Sequence, residues 1–169
     1  MNSNSSNKNN NIANVYVALD NIRSAQNVGS FFRTCDSLGV DKIFLCGITS
    51  VPPNKEILKT ALGATETVLW EHFENTSQCL ELLRKKGFKI ICIEQTEKSL
   101  MLDNYEFNLD ENICLVFGNE IEGVHKDIIE MADDCVEIPQ LGSKHSLNVS
   151  VAGGIVIWDL LSRKLRRKI

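Results

Sequence analysis

The chain has 169 residues, 43% of them hydrophobic and 24% charged, with a net charge of −4. That length can bury one sizeable core, and the composition is that of an ordinary soluble globular domain. No stretch approaches the roughly 20 consecutive apolar residues of a membrane-spanning helix, and the Asn- and Ser-rich run Asn2–Asn11 lacks the apolar centre of a signal peptide, so no membrane partner and a cytoplasmic location are expected.

Residues 1–12 read as a disordered lead-in, and 13–169 as a single domain. Val15–Leu19 is the first β-branched run. Val28, Phe31, Phe32, Cys35 and Leu38 then recur at helical spacing up to Gly39. Lys42–Cys46 is a second strand. Cys79, Leu82 and Leu83 mark a helix whose basic last turn, Arg84-Lys85-Lys86, closes on Gly87. Lys89–Ile93 and Ile113–Phe117 are further strands, His125–Met131 is a short helix, and Cys135–Ile138 is a fifth strand. Nearly continuous apolar runs suit strands buried on both faces of a parallel sheet, and their alternation with helices predicts an α/β fold.

The segment Ile138–Gly154 stands apart, because a polar loop meets a long apolar helix without a spacer. Ser146, Asn148 and Ser150 fall where leucines would be expected, so they either satisfy the loop's own backbone or bind something. The helix that follows, from Asn148 to about Leu165, is apolar all round until Ser162. Such a helix needs cover on every side, which a partner subunit could provide. The chain then ends in five cations, Arg163, Lys164, Arg166, Arg167 and Lys168, without which the remainder would stand at −9 instead of −4. They are either a favourably charged helix terminus or a phosphate-contacting tail.

Six cysteines are scattered without a CxxC pair, which predicts reduced structural thiols. His72, His125 and His145 show no ligand spacing, so no metal is expected. Two further segments lie at strand-to-helix junctions, where open α/β sheets place ligands. In Asn21–Gly29, Asn27 is a candidate N-cap. Arg33 follows near the helix's apolar side, either snorkelling to solvent or reaching across an interface. In Leu115–Val124, an apolar strand runs into Gly118-Asn119-Glu120, either as a plain turn or as a ligand edge. Neither segment has the glycine pattern of a dinucleotide or P-loop site.

Asn27 with Arg33-Thr34, Phe117-Gly118-Asn119-Glu120, and Ile138-Pro139 through Ser146-Leu147-Asn148-Val149-Ser150 resemble, in order, the three motifs of the SpoU-type (TrmH-like) RNA ribose methyltransferases of the SPOUT superfamily. The resemblance runs from about Val15 to Leu161. It implies a parallel sheet flanked by helices with a C-terminal deep trefoil knot, and a homodimer. It also implies S-adenosylmethionine as cofactor, held by Gly118, Asn119, Ile138 and Leu147 with Glu94 beneath. Methyl transfer to a 2′-hydroxyl of tRNA or rRNA would then involve Arg33, Asn27, Glu120, Ser146 and Asn148. Gln140 departs from the methionine common after Ile-Pro, and no additional RNA-binding region precedes the matched part, which leaves the substrate open. The rival expectation is a catalytically silent RNA-binding or assembly factor on the same fold.

Overall fold

The computed structural model describes residues 13–144 and 146–167. The expected lead-in at 1–12, His145 and the cation at 168 lie outside the described residues. The elements run β1 (Val15–Asp20), α1 (Ala25–Leu38), β2 (Lys42–Cys46), α2 (Lys55–Ala61), β3 (Leu69–Phe73), α3 (Thr76–Lys85), β4 (Lys89–Ile93), β5 (Leu100–Met101), β6 (Ile113–Phe117), α4 (Lys126–Met131), β7 (Asp134–Glu137) and α5 (Val149–Arg167).

One seven-stranded sheet in the order β3-β2-β1-β6-β4-β7-β5 carries the fold, and every pairing in it is parallel. All five residues of the central strand β6 are buried, which is why its sequence is a continuous apolar run rather than an alternating one. Successive side chains of such a strand feed opposite cores. Ile113, Leu115 and Phe117 join Phe31, Phe32, Val156, Ile157 and Leu160 on the side of α1 and α5. Cys114 and Val116 join Cys79, Leu80, Leu83 and Ile128 on the side of α3 and α4. The six cysteines are free, five of them fully buried, and burial pushes the Cys35 and Cys114 thiols well up from their ordinary range.

The sequence reading placed β2, β4 and β6 at their observed bounds. It missed β3, α2 and the two-residue β5. β3 is an edge strand with Leu69, Glu71 and His72 exposed, so it lacks the continuous apolar run that marks its neighbours. β7 begins one residue earlier than expected, at Asp134.

Two corrections concern helix ends. Asn27 is not the N-cap of α1. Ser24 is, with extended backbone and a side chain that accepts the Asn27 amide N–H at 3.2 Å. That frees the Asn27 side chain for other partners. The basic end of α5 is largely engaged within the fold. Arg163 donates to the carbonyls of Tyr105 and Leu102 and pairs with Asp159 at 2.8 Å. Lys164 is buried and reaches the Ala13 carbonyl at 2.7 Å, and Arg167 grips Asp110 with both of its terminal nitrogens. These three side chains are thus held within the fold, and a free phosphate-binding tail does not describe them.

α5 packs one face, through Gly153, Val156, Ile157 and Leu160, while Val151, Ile155 and Trp158 remain 51%, 39% and 55% exposed. The approach of α5 to α1 is close enough that a Cβ on Gly153 would lie 2.3 Å from the Phe31 ring. Phe31 in turn packs on Phe117, with ring centroids 5.1 Å apart. This contact, nearly two turns into α1 and about one turn into α5, sets the two helices in register and so fixes what stands beside the cleft described next.

Candidate cofactor and RNA site

At the C-terminal edge of the sheet, the loops after β1, β4, β6 and β7 converge on the N-terminus of α5. Around a cleft of about 480 Å³ stand Glu94 and Gln95, the turn Gly118–Ile121, and Glu137, Ile138, Gln140, Ser146, Leu147 and Asn148. Open parallel sheets place ligands at this edge. Of the residues singled out from sequence, Glu94, Gly118, Asn119, Glu120, Ile138, Ser146, Leu147 and Asn148 line it. Asn27 adjoins it through hydrogen bonds. Arg33 does not line it: its side chain is exposed on α1 and makes no hydrogen bond or ion pair among the described residues.

A chain of side-chain contacts ties the three motifs together. Asn148 Oδ1 caps α5 by accepting the N–H groups of Ser150 at 2.9 Å and Val151 at 3.3 Å. Its Nδ2 donates to Asn27 Oδ1 at 3.2 Å, and Asn27 Nδ2 donates to Glu120 Oε1 at 3.1 Å. Glu120 also accepts the backbone N–H groups of Arg23 at 2.9 Å and Ser24 at 3.0 Å. Thus Asn148 both satisfies the backbone that follows it and connects two of the motifs. Ser146 and Asn148 are exposed, not buried as the apolar surroundings suggested.

Burial alone would raise the Glu120 pKa, but the N–H groups of Arg23, Ser24 and Asn27 outweigh it and hold the carboxyl below its usual range. The sign follows directly. A lowered folded-state value contributes stability that is present above the ordinary carboxylate range and is lost as pH falls through the lowered value. Glu120→Gln is therefore expected to lower Tm by about 2–4 °C near neutral pH, on the scale of one lost charge-assisted bond at a largely exposed site. The gap to the native protein should close as the pH is lowered into the acid range. Melting curves from pH 7 to pH 3 check this, and a gap that is constant with pH would contradict it.

Of the two readings of Gly118, the turn has a direct structural cause. A Cβ there would lie 2.1 Å from the Val124 nitrogen and 2.2 Å from the Gly123 carbonyl carbon. It is the chain's own returning backbone that demands glycine. The turn is stitched by Asn119 N–H to the Gly123 carbonyl at 2.9 Å and Gly123 N–H to the Asn119 carbonyl at 2.8 Å. Asn119 Nδ2 anchors it to the Asn21 carbonyl at 2.8 Å. Glu94 braces it from below, its carboxylate accepting the Val124 and Gln95 N–H groups at 2.9 Å each. Glu94 thus lines the cleft while its charge faces the turn.

Sequence reasoning missed Ile93, Glu137 and Ala152 as lining residues, while Gln95 falls in the loop near Glu94–Thr96 that the resemblance placed beneath the cofactor. Nothing marks the missed residues locally, since each is brought in by a different strand end or helix turn. Among the described residues, no group of three or more His, Cys, Asp and Glu side chains could hold a metal ion, and no helix is long and apolar enough to cross a membrane.

Residues 14–158 match the model of the SpoU rRNA Methylase family. The chain belongs to that family. Among its curated relatives, the 23S rRNA (guanosine-2'-O-)-methyltransferase RlmB of Vibrio parahaemolyticus is 31% identical over 152 residues, covering 90% of this chain and 60% of that protein. The tRNA (guanosine(18)-2'-O)-methyltransferase of Aquifex aeolicus is 31% identical over 144 residues, covering 85% of this chain and 66% of that protein. A solved AdoMet-bound rRNA methyltransferase from Sinorhizobium meliloti superposes with a TM-score of 0.84 at 26% identity, over 90% of this chain and 57% of that one. The SpoU-family chain thus spans about three fifths of the first curated relatives it matches. The flanked parallel sheet expected from sequence is the sheet of the SpoU methyltransferase structures.

Proposed function

We propose that this chain transfers a methyl group from S-adenosylmethionine to a ribose 2′-hydroxyl of RNA, tRNA or rRNA, as a cytoplasmic homodimer whose single domain spans 13–169. The observation that carries this reading is the Asn148–Asn27–Glu120 chain of hydrogen bonds, which joins three distant motifs at one cleft. The relatives supply the reaction class, being named as 2′-O-methyltransferases acting on rRNA and tRNA.

The cleft suits the cofactor. Phe117, Ile138, Leu147 and Val149 offer apolar surface for a purine face, while backbone at Gly118, Ile138 and Leu147 offers donors and acceptors for its edge. Among the described residues no lysine or arginine lines it, which fits a sulfonium and leaves a pyrophosphate without counter-charge. A C-terminal deep trefoil knot belongs to this proposal.

When bound, the cofactor supplies an electrophilic methyl for in-line displacement. The protein must then orient the hydroxyl and assist its proton loss. Arg33 is the central residue. A guanidinium is a permanent cation in proteins, so this side chain holds an RNA phosphate and stabilises the developing alkoxide, while a phosphate oxygen or water takes the proton. Because Arg33 does not line its own chain's cleft, it serves the cleft of a second copy. The bare α5 face of Val151, Ile155 and Trp158 is the surface that second copy would cover. Ser146 positions the ribose, and Asn27, Glu120 and Asn148 hold the motifs in place.

Mapping 2′-O-methylated nucleotides in tRNA and rRNA from cells with and without the protein tests the reading. Loss of a discrete site supports it and names the substrate, and identical maps contradict it.

A further inference from the structure

Three carboxylates, Glu94, Glu120 and Glu137, line the cleft, and among the described residues no lysine, arginine or histidine does. The three are not equivalent. Glu94 spends both oxygens on backbone N–H groups, and Glu120 spends both on Arg23, Ser24 and Asn27. Glu137 accepts the Ser99 hydroxyl with Oε2, and its Oε1 has no hydrogen-bond partner among the described residues. Its place is fixed from two sides. It closes β7 in register with Met101, and the Ser99 hydroxyl that donates to it is held in turn by accepting the Thr96 N–H at 3.2 Å. The least compensated negative charge of the cleft therefore sits on a rigid strand end beside Ile138.

We infer that Glu137 makes the cleft charge-selective, favouring the sulfonium form of the cofactor over the neutral thioether that remains after methyl transfer. This rests on the cofactor reading above. On transfer the methyl leaves sulfur for the ribose oxygen, the hydroxyl proton passes to a phosphate oxygen or water, and the sulfur becomes neutral. A fixed carboxylate in a partly desolvated cleft attracts the first form and is indifferent to the second. Stabilising the cation in the ground state does not speed the chemical step. What it favours is exchange of spent product for fresh cofactor, so Glu137 is a specificity-determining residue of turnover.

Calorimetry on the purified protein with S-adenosylmethionine, S-adenosylhomocysteine and an analogue bearing a protonated amine in place of the methylated sulfur tests this. The native protein should bind both cations more tightly than the thioether. Glu137→Gln keeps an acceptor for Ser99 and should shift the cation-to-thioether affinity ratio toward the thioether by about three- to tenfold, through weaker cation binding. An unchanged ratio overturns the inference. Should that variant not fold, the native ratio measured against NaCl decides instead, because a charge-based preference shrinks with salt and a salt-independent ratio overturns it. Binding of none of the three ligands to the native protein overturns the cofactor reading as well, and is distinguishable from a bound but charge-blind cleft.

Discussion

Arg33→Ala is expected to lower the rate of RNA methylation by about a hundredfold or more, the scale of losing a donor to a developing oxyanion, while S-adenosylmethionine affinity stays within about twofold, since the residue lines none of its own chain's cleft and acts on RNA phosphate rather than on the cofactor. The side chain is exposed and unpartnered among the described residues, so its removal breaks nothing in the fold. The helix around it is secured by Phe31, Phe32 and Cys35, all fully buried. Thermal stability should accordingly stay within about 0.5 kcal/mol of the native protein, as for an ordinary surface substitution. Arg33→Lys sharpens the test. If the guanidinium grips phosphate with two parallel bonds, lysine restores charge but not geometry and recovers only part of the rate. Single-turnover methylation separates chemistry from binding, and an undiminished rate in Arg33→Ala would remove the residue from the mechanism.

The second large effect is on the cleft itself. Gly118→Ala places a Cβ 2.1 Å from the Val124 nitrogen, and the obstacle is backbone that cannot yield without parting the Asn119–Gly123 pair. A loss of about 3 kcal/mol or more is expected, the range of severe overpacking and strained-turn substitutions. For a chain of this size it lowers Tm by about 6–12 °C. Cofactor affinity should fall by at least about tenfold, because the turn forms one wall of the cleft. Gly142→Ala, with no atom within 4 Å of its added carbon, is the matched control and should leave both quantities unchanged. Equal behaviour of the two variants would show that the turn does not set the cleft.

The difference between what the sequence disclosed and what it concealed follows from where the information lies. β6 was legible because all five of its side chains are buried and hence apolar. β3 was not, because an edge strand with Leu69, Glu71 and His72 exposed has no such pattern. Ser24 was passed over in favour of Asn27 as a cap, since both residue types cap well and only the fold reveals that Asn27 is wanted by Glu120 and Asn148. The motif residues could be named from the family resemblance, but their division of labour could not. Glu94, Gly118 and Asn119 turn out to build the turn as well as line the cleft. Glu137 carries no local mark at all, and it becomes informative only when the strand ends are brought together and the compensated carboxylates are set aside. The basic C-terminus likewise divided only in three dimensions, with Arg163, Lys164 and Arg167 held by Tyr105, Ala13 and Asp110.

The most direct test incubates the purified protein with methyl-labelled S-adenosylmethionine and total RNA, digests the RNA to nucleosides, and identifies the labelled products by mass spectrometry. The label is expected on the ribose 2′-oxygen of a single nucleoside, and is expected to accumulate about a hundredfold more slowly with Arg33→Ala. Label on a nucleobase, or none despite cofactor binding, would contradict ribose methylation from this cleft.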